Sequence, residues 1–99
     1  MSERMVRLLG LGLRAGRVVI GVAGVRAKLR RDALQCVVVA GDASQRTRDK
    51  VERLARARGV PIVRGPDALR LGAGLGRTPV QAVGIEDAGL ARGLAALEE

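Results

Sequence analysis

The chain has no histidine, phenylalanine, tyrosine or tryptophan, and a single cysteine among its 99 residues. Each absence closes a class of chemistry. Without imidazole, a serine or threonine has no ordinary general base to activate it, and Cys/His metal sites are excluded by inventory. Without aromatic rings, splayed bases cannot stack on side chains, which is the usual route to single-stranded recognition. Any grip on nucleic acid must then come from the backbone and from arginine. Leu, Val, Ile and Ala must fill the interior alone, which favours thin layers. Cys36, in the run "LQCVVVA", reads as a small buried hydrophobe, and one cysteine gives no disulfide information about compartment. Long hydrophobic runs are missing too. The early stretch "VRLLGLGLRAG" is too short and too interrupted by arginine for a signal peptide or a membrane span, so a cytoplasmic, bacterial or organellar setting is expected.

Positive charge is abundant. Lys and Arg number 18 against 10 Asp and Glu, a net charge of +8, and Lys28 and Lys50 are the only lysines. Eleven basic and four acidic side chains fall in residues 1–50, against seven and six in residues 51–99. A charge that meets a partner therefore belongs to the first half. Arginine suits two-pronged phosphate contacts, although a compositional bias would give the same excess. A chain of this length has material for one hydrophobic core, so residues 1–99 are expected to form a single domain.

Hydrophobic periodicity alternates along the chain. "SERMVRLLGLGLRAG" spaces Met5, Leu8, Leu9 and Gly12 for one helix face, with Gly16 as its stop. "RVVIG" reads as a short strand, and a second helix starts at Gly21 or Val22 with Val22, Val25 and Leu29 inward. "LQCVVVA" is a β-branched run too short for a buried helix, and predicts a central strand covered on both faces. A helix follows over about 46–58 with Val51, Leu54 and Ala55 inward, ended by Gly59, and then the strand "VPIV". Pro66 and Asp67 suit the first turn of a short helix carrying Leu69 and Leu71. "LGAGLGRTP" reads as a mobile glycine loop, "VQAVGI" as a strand and "DAGLARGLAAL" as a closing helix with Leu90 and Leu94 inward. Helices alternating with strands imply a sheet between helical layers.

Two glycine clusters imitate nucleotide motifs and fail on context. Gly10, Gly12 and Gly16 precede a strand, whereas a phosphate cradle must follow one and open a helix. The second cluster has Leu71 where a Walker loop needs its first glycine and Arg77 where it needs lysine. Asp32, Asp42, Asp49, Glu52, Asp67, Glu86 and Asp87 lie at helix starts or among arginines, as capping and ion-paired residues do. Ser44 and Thr47 read as helix-start residues. No enzyme, cofactor or metal is expected.

The stretch "GVAGVRAKLRR", residues 21–31, is different. At 100° per residue, Val22, Val25 and Leu29 share one side, while Gly24, Ala27 and Arg31 centre the other, flanked by Ala23, Lys28 and Arg30. The outer face is bare at its start and charged further along. A bare helix start offers free N–H groups and the positive end of the dipole, both suited to phosphate.

In the order "LLGLGLRAGRVVIG", "CVVVAGDAS", "LARARGVPIV", "LGAGLGRT" and "VGIEDAGLARGL", the chain resembles the ribosomal protein L-seven-Ae and L-thirty-e family of kink-turn RNA binders, in particular its small bacterial YlxQ-like branch. The resemblance spans nearly the whole length. It implies an α/β fold, a three-layer α/β/α sandwich around a four-stranded mixed sheet. It also implies RNA held at the start of the second helix and a late glycine loop. Those regions correspond here to Gly21, Ala23, Gly24, Arg26, Ala27 and Lys28, with Arg30 and Arg31 beyond, and to Gly76, Arg77, Thr78, Pro79 and Val80. The implied partner is structured RNA, rRNA or kink-turn-like, with ribosomal or translation-associated proteins as further partners and no membrane. The family's kink-turn readers place Asn-Glu-x-x-Lys where this chain has Ala23, Gly24 and Ala27. Base-edge discrimination, roughly 1–3 kcal/mol per good contact, is lost with those side chains, whereas phosphate attraction remains. The competing reading is a protein-interaction module on the same scaffold, its smooth Ala23–Gly24–Ala27 patch docking an apolar surface.

Overall fold

The computed structural model describes residues 3–98. Its elements run α1 (Glu3–Arg14), β1 (Val18–Ile20), α2 (Val22–Arg30), β2 (Cys36–Val39), α3 (Gln45–Ala57), β3 (Ile62–Arg64), α4 (Ala68–Gly74), β4 (Ala82–Ile85) and α5 (Ala88–Leu97). The strands form one sheet in the order β1-β4-β2-β3. β4 pairs antiparallel with both β1 and β2, and β2 pairs parallel with β3, so the sheet is mixed. Every residue of β2 and β4 is buried, as continuous apolar runs at the centre of a covered sheet must be. α2 and α3 pack together on one face; α1 packs against α4 and α5 on the other. The three-layer α/β sandwich is the observed fold.

Its interior is mainly aliphatic, with Leu9, Leu29, Leu71, Ile85 and Leu94 among the largest fully buried side chains. Glycine lets the layers approach. A Cβ on Gly12 would come within 2.8 Å of Val18 Cγ2 and closer still to Leu90, so this glycine is where α1 lies flush on β1 and α5. α1, α3 and α4 all stop in the same way, with Gly16, Gly59 or Gly76 at positive φ just past the helix. In each, two N–H groups beyond the end turn back onto the last free carbonyls, as Gly59 does to Arg56 and Val60 to Ala55. α2 uses the same device with Asp32 at φ 55°, the one described non-glycine residue at positive φ.

The short helix α4 departs from expectation. Pro66 and Asp67 lie outside it: Asp67 is the N-cap, its Oδ1 accepting from the Arg70 N–H at 2.8 Å, while buried Pro66 accepts the Gly41 N–H through its carbonyl. A second carboxylate, Asp42, accepts the Ala68 N–H at 2.8 Å. Leu69 points outward, 68% exposed, and Leu71 alone is buried. Only one of two residues spaced by two can face the core of a helix this short. The first four residues of the expected glycine loop, 71–74, are helix as well, since α4 runs to Gly74.

Candidate nucleic-acid interface

Gly21, the N-cap of α2, has φ 98° and ψ 155°, a conformation that glycine enters without strain. Its N–H donates to the Ala82 carbonyl at 2.9 Å and its own carbonyl accepts from Val25 at 3.0 Å. The start of α2 is thereby stitched to the first residue of β4, directly after segment 76–81. With no side chain at the cap and no acidic residue in the first turn, the N–H groups of the first turn of α2 are not capped by any side chain. α3, α4 and α5 are each closed by a side chain, from Ser44, Asp67 and Asp87. The α2 start is the described helix start that combines a glycine cap with an open dipole end.

Segment 76–81 beside it is held at several points. The Arg77 N–H donates to the Gly72 carbonyl at 2.8 Å and Val80 N–H to Ala68 at 3.0 Å, and Val80 is buried. The Thr78 carbonyl and Pro79 lie directly over Gly72, filling the place of a Cβ. Gln81 carries the next anchor: its carbonyl accepts from Ala40, and its Oε1 accepts the Ser44 N–H at 3.2 Å. The part of the expected mobile glycine loop that lies beyond α4 is thus a short, pinned turn. Gly76, Arg77, Thr78 and Pro79 remain exposed on it.

The sequence reading missed Gln81 and Arg46. Gln81 ties this turn to the start of α3, and Arg46 stands exposed in the first turn of that helix. The Ser44–Gln81 contact joins residues 37 apart in sequence, beyond the reach of any local pattern.

The remaining cations lie further along α2. Lys28 Nζ meets Glu86 Oε2 at 3.0 Å, and the Glu86 N–H donates to Arg17, at the end of β4 opposite Ala82. Lys28 therefore sits about 9 Å along the helix axis from the α2 start, and Arg30 and Arg31 about 12–14 Å. Arg30 and Arg31 are exposed and have no ion pair among the described residues. Arg26 is half-buried, with its Nε enclosed and without a partner. Ala23 and Ala27 are exposed, but Gly24 is not an open position. A Cβ there would come within 2.8 Å of Val19 Cγ1, so the side without a Cβ faces β1. The smooth patch available to a partner shrinks to Ala23 and Ala27.

Elsewhere the carboxylates are occupied structurally. Asp42, Asp67 and Asp87 cap helices, while Asp32 and Glu52 meet Arg58 and Arg48 and Arg56. Asp49 accepts from Gln45. Burial, with the Glu98 carboxylate adding to it, pushes the Cys36 thiol up to about 12. No group of metal-ligating side chains occurs among the described residues. No helix among them is long and apolar enough to cross a membrane.

Over residues 3–95 the sequence matches the ribosomal protein L7Ae/L30e/S12e/Gadd45 family. The chain belongs to this family. Membership in the L7Ae/L30e family suggests RNA as the class of partner and a non-enzymatic role. A solved structure of a protein with unknown function from Bacillus halodurans C is 28% identical, with a TM-score of 0.87 over 93% of each chain. No curated protein matches. The match to the L7Ae/L30e family takes in α1 to β4 and most of α5.

Proposed function

We propose that this chain is a bacterial, cytoplasmic, ribosome- or rRNA-associated RNA-binding protein of the YlxQ-like branch, gripping phosphates with little preference for the kink-turn. One observation carries the reading: the open start of α2 is hydrogen-bonded to the strand that follows the exposed Arg77–Pro79 turn, so free N–H groups and a guanidinium share one end of the sheet. A phosphate there meets the positive end of a helix dipole and a two-pronged cation. Arg26, Arg30 and Arg31 extend the grip along α2, and Lys28 contributes less because Glu86 already holds it. Ala23 and Ala27 lack polar side chains, and a side chain at Gly24 would run into Val19, so base edges go unread.

The test is titration of a kink-turn RNA and a plain duplex of equal length at two salt concentrations. Affinity should fall steeply with salt for both, the two RNAs should differ by less than about tenfold, and Arg77→Ala should flatten the salt slope by about one contact. Absence of binding to either RNA at low salt refutes the proposal.

A further inference from the structure

Away from the α2 start, α1 and α4 cross at glycines. The place of a Cβ on Gly74 is filled by Val6, and the Gly74 carbonyl lies 3.7 Å from where a Cβ on Gly10 would be. Beside this crossing runs an open groove of about 370 Å³, with Val6, Gly10, Leu11 and Gly74 along it and Arg7 and Arg14 at its rim. It continues past Val6 and Gly74 into a second hollow of about 330 Å³, bounded by Glu3, Arg70 and Ala73. Two large hydrophobic side chains are exposed among the described residues, and they lie on these two helices: Leu11, 58% exposed, on α1, and Leu69 on α4, one turn before Ala73.

The charge around the groove is positive apart from Glu3. Arg4, Arg7, Leu11 and Arg14 recur at intervals of three and four, one stripe along α1. None of these arginines has an ion-pair partner among the described residues. Glu3 is the single carboxylate that lines either hollow. We propose that the α1–α4 groove docks an acidic segment of a protein partner, with an aliphatic side chain seated beside Leu11 and carboxylates on Arg7 and Arg14. A second copy of this chain does not fit. Its net charge is +8, and apart from Glu3 every described carboxylate already caps a backbone N–H, accepts from a side chain or pairs with a cation. A nucleic acid would use the arginines but not the leucine or the apolar floor, and that difference separates the two ligands.

The probe is a fluorescein-labelled helical peptide of alternating Glu-Glu and Leu-Leu pairs. Its control has every leucine replaced by serine at the same charge. Amide NMR shifts of the folded protein map where each binds, and anisotropy gives the affinity. The leucine peptide should shift α1 and α4 saturably, and bind about tenfold more tightly than the serine peptide. Leu11→Ser should remove that preference, and Arg7→Glu with Arg14→Glu should weaken binding by at least about tenfold. All three residues are solvent-facing or at the rim, so thermal melts should confirm unchanged folding. Equal affinity for the two peptides, shifts confined to α2 and segment 76–80, or no shift at all overturns the proposal. So does an RNA duplex that shifts the groove amides with the same arginine dependence and no effect of Leu11→Ser.

Discussion

Gly72→Ala puts the pinned turn to a test of sign. On helix propensity alone, replacing glycine by alanine within α4 should stabilise the protein by up to about 1 kcal/mol. The structure predicts the reverse. A Cβ on Gly72 would overlap the Thr78 carbonyl oxygen and come within 3.0 Å of Pro79 Cα, and backbone cannot yield as the tip of a flexible side chain can. Segment 78–80 must lift away. Lifting it breaks the 3.0 Å bond from Val80 N–H to Ala68, a net loss of about 1 kcal/mol. It also draws out Val80, 7% exposed, whose full burial is worth about 1.5–3 kcal/mol. After the full propensity gain is subtracted, the variant should be destabilised by about 1.5–3 kcal/mol. Gly10→Ala is the control. It lies in α1 with nothing nearer to its Cβ position than the Gly74 carbonyl at 3.7 Å, so it should stabilise by about 0.5–1 kcal/mol. Urea unfolding of the three proteins gives the comparison, and hydrogen exchange at Val80 reports the anchor directly. A Gly72→Ala protein as stable as the parent, with its Val80 amide still protected, would refute the close approach of the turn to α4.

Three further outcomes are expected. Asp32 occupies a position that glycine fills at the ends of α1, α3 and α4, held by Arg58 Nη1 at 3.1 and 3.3 Å from its two carboxylate oxygens. Asp32→Ala should cost about 1 kcal/mol in thermal or urea unfolding, because alanine tolerates positive φ poorly, whereas Asp32→Gly should be closer to neutral because the exposed ion pair contributes only about 0–1 kcal/mol; equal losses would show that the pair and not the backbone matters. The Cys36 thiol, raised from 9.0 to about 12, keeps its proton longer in the folded chain than in the unfolded one. Its contribution to stability is therefore complete below pH 9 and lost as pH rises toward 12, and thiol labelling at pH 8–9 should be slow until denaturant is added; rapid labelling of the folded protein would contradict the burial. Lys28→Ala should reduce RNA affinity less than Arg77→Ala does, measured by anisotropy at one salt concentration, since Glu86 already neutralises the lysine; the opposite ranking would move the RNA to the far end of α2.

Local pattern carried the elements and stopped at their neighbours. The β-branched run from Cys36 to Val39 and the stops at Gly16 and Gly59 follow from backbone and burial rules that act within a few residues, and they are where expected. The helical wheel of α2 is likewise right about Val25 and Leu29, both fully buried. It cannot say what the flanks meet. Lys28 lies on one flank of that stripe, Arg26 on the other, and Gly24 on the outer side. Gly24 meets Val19, Lys28 meets Glu86 and Arg26 Nε is enclosed without a partner, each fixed by strand order and not by spacing. The same holds for Ser44 with Gln81 and Gly21 with Ala82, which need the chain to return after dozens of residues.

These contacts set the bare start of α2 and its charged end at opposite ends of β4. Residues 21–31 read as bare at the start and charged further along; the open helix start at Gly21 bonds to Ala82, the strand residue that follows the Arg77 turn, and Lys28 is spent on Glu86 at the other end of β4. An RNA that touches Arg77 alone should lose affinity only with Arg77→Ala. One that tracks α2 should respond also to Arg30→Ala and Arg31→Ala, with a salt slope reduced by about one for each. Footprinting the three variants on one duplex decides between the two paths, and insensitivity to all three would show that the phosphates are held elsewhere.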